Sequence, residues 1–283
     1  MKHILAALDF TARADFEFDR AVQLAVQHGA ELTLAHVIDP GLLPDDSETN
    51  PSIRERAIAR ADRRLREYSA PPGMKVNFRV AIGDAARETA ALVRGTGADL
   101  AILGAHHEKP IQNIFFEATA YYIIQECEAP FLIVKERTQG PYRRVLALTD
   151  FSPCAKRAFH AAVTLVPEAE FHVLHVYETS LPQLLLFSEK ELKEFQRQRL
   201  LRIEADVGEE MRNFVAHDFA GSFPKVAPLL ERDAADAGIR KVVERLQPDL
   251  VVMGLSGRGF AFLVGSRTIA YLNEPFCDML VTI

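Results

Sequence analysis

Cysteine is scarce in this sequence. The chain of 283 residues contains three, Cys127, Cys154 and Cys277. They are widely spaced, odd in number and not arranged as a CxxC pair, so the sequence indicates neither a disulfide framework nor a zinc knuckle. The simplest interpretation is that they are core thiols of a reducing compartment.

Basic clusters and long apolar segments are also missing. The formal net charge is -6, and no Lys/Arg block resembles a phosphate-backbone footprint, so we expect neither nucleic acid nor an anionic membrane as a partner. The apolar stretch at the N-terminus meets Asp9 after a few residues, which is too short for a signal sequence or a spanning helix. These absences predict a cytoplasmic protein.

What is present is typical of a globular protein with a full core. The hydrophobic fraction is 48% and the charged fraction is 25%, which excludes disordered and fibrous classes. The length allows one large domain or two of common size. Composition does not distinguish between these two possibilities.

An internal repeat indicates that the chain consists of two domains. HILAALDFTARADFEFDRAVQLA, which begins at His3, aligns without gaps with RVLALTDFSPCAKRAFHAAVTLV, which begins 141 residues later at Arg144. Three further pairs follow in order: ELTLAHVID with EFHVLHVYE, ADLAILGAHH with PDLVVMGLSG, and APFLIVK with CDMLVTI. The repeat predicts a first copy over residues 1–138 and a second copy over residues 142–283, joined by a short turn-prone linker.

Each copy has the pattern of a doubly wound α/β domain. Apolar runs of strand length, such as ILAAL and LTLAHV, alternate with helix-length stretches, and this pattern predicts a five-stranded parallel sheet covered on both faces. Ligands of such sheets bind at the carboxyl ends of the strands. Asp9 and Gly104 in the first copy, and Asp150 and Gly254 in the second, lie at such ends and are expected to converge on one ligand.

Several helix boundaries can also be predicted. Asp15 is expected to precede the first helix, with Gly29 at its end, and Ser152-Pro153 is expected to open the matching helix of the second copy. The charged segments 40–69 and 180–217 predict long amphipathic helices packed on the sheet with solvated outer faces.

A glycine-rich loop follows the fourth strand of the second copy. The segment GLSGRGFAFLVGS contains Gly254, Gly257, Gly265 and Ser266. Glycines permit close approach of a polyphosphate, and a helix N-terminus with a hydroxyl favours negative charge, to which Arg258 adds a cation. The alternative is that the glycines only permit a turn and Ser266 only caps the last helix.

These motifs together resemble a tandem universal stress protein over essentially the whole chain. The resemblance rests on the strand-one Asp, the AHV and LHV segments, DLVVMG, the glycine loop and the terminal MLVTI. It implies two Rossmann-like domains of the adenine-nucleotide alpha-hydrolase-like type, paired as a pseudo-dimer through their last strands, near Phe131–Lys135 and Met279–Ile283. ATP-binding members of that family carry G-x2-G-x9-G-(S/T). The nucleotide site implied for the second copy comprises Asp150, Val176, Met253, Gly254, Gly257, Arg258, Gly265 and Ser266.

The second copy departs from the family pattern in two places. Gly257 and Gly265 enclose seven residues rather than nine, so the loop reaches up to about 7 Å less far when extended. The third strand ends in Glu231-Arg232-Asp233 where family members often have glycine, as the first copy does with Gly83. A carboxylate there opposes a triphosphate unless Arg232 or a metal compensates its charge.

The first copy departs further. Its aligned loop, GAHHEKPIQNIFFEAT, has His107 for the second glycine, Glu117 for the third and Ala118 for the hydroxyl residue. Glu117 would place negative charge where phosphate should bind, so we expect no polyphosphate there. The first site is predicted to be degenerate, structural or differently liganded.

The histidines are interpreted as structural. His106 and His107 are adjacent and diverge in most conformations, which makes them a poor metal pair without a third ligand. His36 and His175 hold equivalent positions near strand ends and are expected to be packed, hydrogen-bonded imidazoles. No metal site is predicted.

The sequence therefore predicts a cytoplasmic stress-response regulator whose second copy binds ATP or another adenine nucleotide and which acts through unknown protein partners. It leaves open whether Mg²⁺ accompanies the nucleotide and whether two chains form a homodimer. The alternative is a scaffold or small-ligand-binding stress protein that binds no nucleotide. Neither copy has a nucleophile elbow, a Walker lysine or a paired-carboxylate motif, so no enzyme is expected beyond weak ATP hydrolysis.

Overall fold

The apolar runs of both copies form strands of one continuous sheet. The computed structural model describes residues 1–44, 50–105, 120–178, 189–218, 226–255, 271–272 and 274–283. The strands of the first copy are β1 (His3–Ala7), β2 (Glu31–Ile38), β3 (Val76–Ile82), β4 (Leu100–Gly104) and β5 (Phe131–Val134). Those of the second copy are β6 (Arg144–Leu148), β7 (Glu170–Tyr177), β8 (Val226–Arg232), β9 (Leu250–Gly254) and β10 (Asp278–Thr282).

Helices connect successive parallel strands in both copies. In the first copy they include α1 (Ala14–His28), α2 (Pro51–Leu65) and α3 (Ala85–Thr96), and residues 120–126 before β5 are also helical. Those of the second copy are α4 (Pro153–Leu165), α5 (Glu189–Asp218) and α6 (Ala235–Leu246). The long amphipathic helix predicted within 180–217 is α5. No helix within the described ranges is both long and apolar enough to cross a membrane.

The sheet has the predicted doubly wound order twice. Its ten strands run β3-β2-β1-β4-β5-β10-β9-β6-β7-β8. Neighbours within each copy are parallel. The two five-stranded parallel sheets predicted from the repeat are therefore confirmed.

The two copies meet along an antiparallel seam between β5 and β10. Met279 pairs with Ile133, and Leu280 pairs with Leu132. These four side chains are 0% exposed, so the seam is part of the core. The pairing predicted for the last strands is confirmed, and it occurs within one chain.

The central strands of the sheet are buried on both faces, and successive side chains of a strand point to opposite faces. Ile4 lies in a cluster with Leu24 of α1 on one face. The next residue, Leu5, lies on the other face with Val93 of α3. Burial on both faces explains why the strands read as unbroken apolar runs.

The first helices of the two copies begin differently. Ser152 caps α4 by accepting a hydrogen bond from the Ala155 N–H at 3.2 Å, as predicted. In the first copy, Arg13 holds the cap position and makes no side-chain cap bond, so the prediction that Asp15 precedes the helix is wrong. Helix α1 starts two aligned positions later than α4, since Pro153, the first residue of α4, aligns with Ala12.

The cysteines differ in burial. Cys127 is buried, as predicted for a core thiol, whereas Cys154 and Cys277 are half-buried. All three are free thiols. Burial raises the pKa of the Cys277 thiol far above its ordinary value, so this thiol stays protonated and unreactive at neutral pH.

A buried ion pair ties the first copy and the linker to the last strand. Arg20 Nε lies 3.3 Å from Asp278 Oδ2, and Asp278 accepts hydrogen bonds from the Tyr142 hydroxyl at 2.6 Å and the Lys135 N–H at 2.8 Å. The guanidinium lies 3.9 Å from the Tyr142 ring centroid and donates to the Gly140 carbonyl at 3.0 Å. Arg20 is 5% exposed and Asp278 is 2% exposed.

Candidate functional site

A cavity of about 340 Å³ opens at the carboxyl ends of β6, β7 and β9 in the second copy. Its lining includes Asp150, Val176, Met253 and Gly254. These are the four predicted site residues that fall within the described part of the chain. The fold brings them together because each follows or ends a neighbouring parallel strand.

The other predicted site residues, Gly257, Arg258, Gly265 and Ser266, lie outside the described residues. The same is true of the loop residues of the first copy that the sequence analysis singled out, which are His106, His107, Glu117 and Ala118. The glycine-loop predictions therefore stay predictions.

The backbone is strained at the point where Asp150 enters the cavity. Phe151 has a φ of 62°, a left-handed conformation that is rare for a bulky residue. Asp150 Oδ1 accepts a hydrogen bond from the Ser152 N–H at 3.0 Å and thereby closes the turn. The first copy repeats the strain at Phe10, whose φ is 60°. Strain of this kind is often found at ligand sites.

Histidine side chains support these strained turns. The His175 Nδ1 hydrogen-bonds the Thr149 carbonyl oxygen at 2.8 Å, and its ring centroid lies 4.4 Å from that of Phe151. His36 bonds the Leu8 carbonyl at 2.6 Å in the same way. Burial lowers the pKa of His36 below its ordinary value, so the ring is neutral at pH 7. The prediction of hydrogen-bonded, packed imidazoles is confirmed.

The cavity of the second copy combines apolar walls with a polar rim. Leu148, Leu174, Val176, Ile239 and Met253 supply the walls. Polar groups come from the ends of the strands and from one helical residue; they are Thr149, Asp150, His175, Glu178 and Tyr271. This arrangement suits a flat, largely apolar ligand with hydrogen-bonding edges.

Sequence reasoning missed the contributions of α6 and of Tyr271. Ala235 and Ile239 of α6 line the cavity, and the Tyr271 hydroxyl donates to Asp236 Oδ1 at 2.8 Å. Ala235 could have been predicted from the sequence, because the residues that follow the third strand must also lie at the carboxyl edge of the sheet. Nothing in the sequence indicated Tyr271.

Gly254 has a packing role in addition to its place in the cavity. A Cβ atom there would lie 2.5 Å from the Cys154 carbonyl carbon and 2.7 Å from the Ala155 nitrogen. These are backbone atoms at the start of α4 and cannot move aside independently. The end of β9 must therefore be glycine for α4 to pack against it.

Of the two carboxylates at the end of the third strand, Glu231 is compensated within the protein, and Asp233 accepts a hydrogen bond from the Ala234 N–H at 2.8 Å. Glu231 forms a salt bridge with Lys241 of α6. Arg232 is paired elsewhere, with its Nη1 3.4 Å from Glu204 Oε1 of α5. The cation that compensates Glu231 is therefore Lys241, whereas the sequence analysis had named Arg232 for this role.

The first copy has an equivalent cavity of about 260 Å³. Its lining includes Asp9, His36, Val37 and Gly104, which align with Asp150, His175, Val176 and Gly254. The expected convergence of the strand-end Asp and Gly is thus observed in both copies.

Glu17 distinguishes the first cavity from the second. It aligns with Ala158, and it is 4% exposed although it lines the cavity. Its Oε1 occupies the space beside Gly104, where an added Cβ atom would lie only 1.8 Å away, and its Oε2 has no hydrogen-bond partner among the described residues. Burial, helped by the nearby charges of Asp9 and Asp15, raises the pKa of Glu17 well above its ordinary value. The sequence analysis did not identify this residue.

A family model matches each half of the chain. The model of the universal stress protein family aligns with residues 1–135 and again with residues 141–282. The chain belongs to the universal stress protein family. The two matches support the predicted tandem arrangement of universal stress protein domains.

Solved structures share the architecture of this tandem universal stress protein. A functionally unknown protein from Pseudomonas aeruginosa PAO1 is 19% identical with a TM-score of 0.65, and the match covers 100% of this chain and 92% of that one. A universal stress protein from Archaeoglobus fulgidus DSM 4304 is 17% identical with a TM-score of 0.63, covering 99% and 97%. No curated protein matches the chain. At these identities the similarity shows the fold.

Proposed function

We propose that this universal stress protein is a regulator that binds an adenine nucleotide in its second copy. The observation that carries the proposal is the convergence of Asp150, Val176, Met253 and Gly254 on one cavity at the strand ends. By the resemblance in sequence, these residues would line the nucleotide site of an ATP-binding member of the family.

The cavity suits the adenosine part of such a ligand. A purine is flat and largely apolar on its faces, and it would lie between Val176, Ile239 and Met253. Asp150, which is exposed at the rim, is placed to accept a hydrogen bond from the ribose or the base. The volume of about 340 Å³ is at the lower end of the range of ligand pockets, about 300–1,000 Å³.

The phosphates would extend from Gly254 along the glycine loop. The N-terminus of α4 lies beside Gly254, and a helix N-terminus favours negative charge. Lys241 neutralises Glu231, which removes one obstacle to an anion near α6. Where Mg²⁺ takes part, we propose that it arrives with the phosphates.

Binding would regulate by stabilising one conformation. A nucleotide at about one hundred times its dissociation constant stabilises the bound fold by about 2.7 kcal/mol, and a cytoplasmic protein partner could recognise that state. We propose a binding role rather than catalysis, with slow ATP hydrolysis as the upper limit.

Calorimetric titration of the full chain with ATP, ADP and AMP tests the proposal. We expect one nucleotide per chain. Asp150→Ala removes a hydrogen bond from a charged group and should weaken binding by about tenfold or more. The aligned variant Asp9→Ala is the matched control and should change the affinity less than threefold. Equal effects of the two variants, or no binding at millimolar nucleotide, would contradict the proposal.

Mass spectrometry of the protein purified without added nucleotide separates the proposal from the scaffold alternative. Recovery of an adenine nucleotide, lost in Asp150→Ala, supports nucleotide binding. Recovery of no nucleotide, together with a melting temperature indifferent to millimolar ATP and ADP, would favour a scaffold that acts through protein partners.

A further inference from the structure

The cavity of the first copy has an acidic interior. Glu17 lies within its wall, and Asp9 and Asp39 lie at its rim. Asp9 accepts a hydrogen bond from the Thr11 N–H at 2.8 Å, and Asp39 accepts one from Gly41 at 2.8 Å. Glu17 differs from both, because its Oε2 is buried and lacks a hydrogen-bond partner in the described structure.

A buried carboxyl oxygen without a partner is unusual. Buried polar groups are almost always hydrogen-bonded, and each exception calls for an explanation. Helix α1 could hold an apolar residue at this position, since the aligned residue of α4 is Ala158. Glu17 instead places a carboxyl group beside Gly104, on a cavity that is open to solvent and large enough for a small ligand.

We propose that the first cavity binds a compact organic ammonium ion, whose N–H groups donate to the Glu17 carboxylate. The ligand supplies the hydrogen-bond donor that Glu17 Oε2 lacks among the described residues. This site is chemically different from the proposed nucleotide site in the second copy, and it does not depend on nucleotide binding there.

The charge of the lining selects a cation. The described lining residues include Asp9, Glu17 and Asp39 and no Lys or Arg. His36 also lines the cavity, and burial keeps its imidazole neutral at pH 7 by lowering its pKa. Among the described lining residues an anion would meet three carboxyl groups and neither a Lys nor an Arg side chain, whereas an ammonium ion is attracted to the carboxyl groups.

An organic cation fits this site better than a metal ion. No three His, Cys, Asp or Glu side chains in the described ranges are arranged to hold a metal. The walls of the cavity are apolar and come from both sides of the strand ends; they include Leu8, Val37, Ile38, Leu103 and Ile123. A volume of about 260 Å³ limits the apolar body to a single ring or a short chain.

Binding of the ammonium ion changes the protonation state of Glu17. Burial raises the pKa of Glu17, so its carboxyl group in the unliganded protein stays protonated to a higher pH than an exposed glutamate does. An ammonium ion pairs with the ionised carboxylate, so the Glu17 proton is released to solvent on binding and affinity increases with pH until the amine itself loses its proton. In the described part of the chain, the other titratable groups that face Glu17 or share its cavity are Asp9, Asp15, His36, Asp39 and Tyr68, and the charge of Arg64 acts on both His36 and Tyr68.

Three probes that share an apolar phenyl group and differ in charge test whether the cavity prefers a cation. The 2-phenylethylammonium ion, 2-phenylethanol and phenylacetate are titrated calorimetrically into the full chain at pH 7 and pH 8. We expect the cation to bind at least tenfold more tightly than the alcohol and the anion, and its affinity to rise with pH. Equal or tighter binding of the alcohol or of phenylacetate by the unmodified protein would overturn the proposal.

A pair of variants locates the site. Glu17→Gln preserves the shape of the side chain and should lower the affinity for 2-phenylethylammonium at least tenfold while abolishing its rise with pH. Asp15→Asn removes the same charge from an exposed position in the same turn of α1. This variant should change the affinity for 2-phenylethylammonium less than threefold. Equal losses in the two variants would show non-specific attraction and contradict the assignment to Glu17. Melting curves of both variants verify that each is folded.

Discussion

Glu17 is the residue at which the two copies differ most in chemistry. It lies in the first turn of α1, where an acidic side chain normally faces solvent and interacts with the helix N-terminus. Here the carboxyl group is buried against Gly104 instead. Its place in the cavity therefore reduces the stability of the unliganded protein.

The stability of Glu17→Gln relative to the unmodified protein should depend on pH. The folded-state pKa of Glu17 is raised above its ordinary value of 4.5, so between these two values the folded protein binds more protons than the unfolded chain. The stability of the unmodified protein relative to the variant is then greatest below pH 4.5 and declines as pH rises through the folded-state pKa. The decline is about 1.4 kcal/mol for each unit of pKa shift.

Urea denaturation of both proteins between pH 4 and pH 9, without ligand, measures this difference. A difference in unfolding free energy that stays constant over the whole range would show that Glu17 titrates normally in the folded protein. Asp15→Asn again serves as the control: it should keep the pH-dependent decline, moved to lower pH because Asp15 contributes to the raised pKa of Glu17.

A second residue-scale prediction concerns Gly254. Gly254→Ala places a Cβ atom 2.5 Å from the backbone of Cys154, and such overpacking should lower the unfolding free energy by about 1–3 kcal/mol. Gly95→Ala is the control: it lies within α3, nothing lies within 4 Å of its added Cβ, and it should raise stability by up to about 1 kcal/mol. Chemical denaturation distinguishes these opposite signs, and a harmless Gly254→Ala would refute the packing role.

At the scale of elements, the third helices of the two copies differ in capping. Asp84 caps α3 by accepting a hydrogen bond from the Arg87 N–H at 2.9 Å. The aligned residue before α6 is Ala234, which makes no side-chain cap bond although its backbone is extended, with φ -59° and ψ 138°. The backbone before the third helix is therefore suited to a cap in both copies. Asp84 has a side chain that accepts the capping hydrogen bond, and Ala234 does not.

Exchanging these residues should change stability in opposite directions. Asp84→Ala should lower the unfolding free energy by about 1 kcal/mol and Ala234→Asp should raise it by up to a similar amount. Asn50→Ala, at a cap position without a side-chain cap bond to α2, should have a smaller effect than Asp84→Ala. Thermal denaturation measures all three, and a destabilising Ala234→Asp would contradict the prediction.

The elements were largely predictable because their signals are local and repeated. Parallel strands buried on both faces appear as apolar runs, and the repeat fixed their order twice. The strand-end residues Asp150 and Gly254 could be assigned to one site because parallel strands end at one edge. Glu17 could not be found in this way, since an acidic residue in the first turn of a helix normally faces solvent, and its burial against Gly104 depends on how α1 packs on β4.

At the scale of the whole molecule, Asp278 holds the halves together. It is a strand residue of the second copy, yet its partners include Arg20 of α1 and Lys135 from the first copy, besides Tyr142 at the start of the second. The sequence did not reveal this cluster, because even Lys135 and Tyr142 are 143 and 136 residues away from Asp278 along the chain, and no local pattern connects them.

Removing the Asp278 carboxylate should strongly destabilise the protein. Asp278→Ala leaves the buried Arg20 guanidinium without its counter-charge, and breaking a buried pair in this way costs about 3–5 kcal/mol. Asp19→Ala is the control, because its pair with Arg137 at 3.6 Å is exposed and should contribute less than about 1 kcal/mol. Calorimetry measures both, and similar small losses would show that the cluster does not stabilise the junction.

The antiparallel seam between β5 and β10 has a consequence for how such a protein can diverge. In an assembly of two identical chains, any substitution in one binding cavity is made in the other as well. Here the two halves of the seam belong to one gene product, so each cavity can change independently. Glu17 and Ala158 occupy aligned positions and record such a change: covalent duplication has allowed one molecule to keep two chemically distinct pockets on a single sheet.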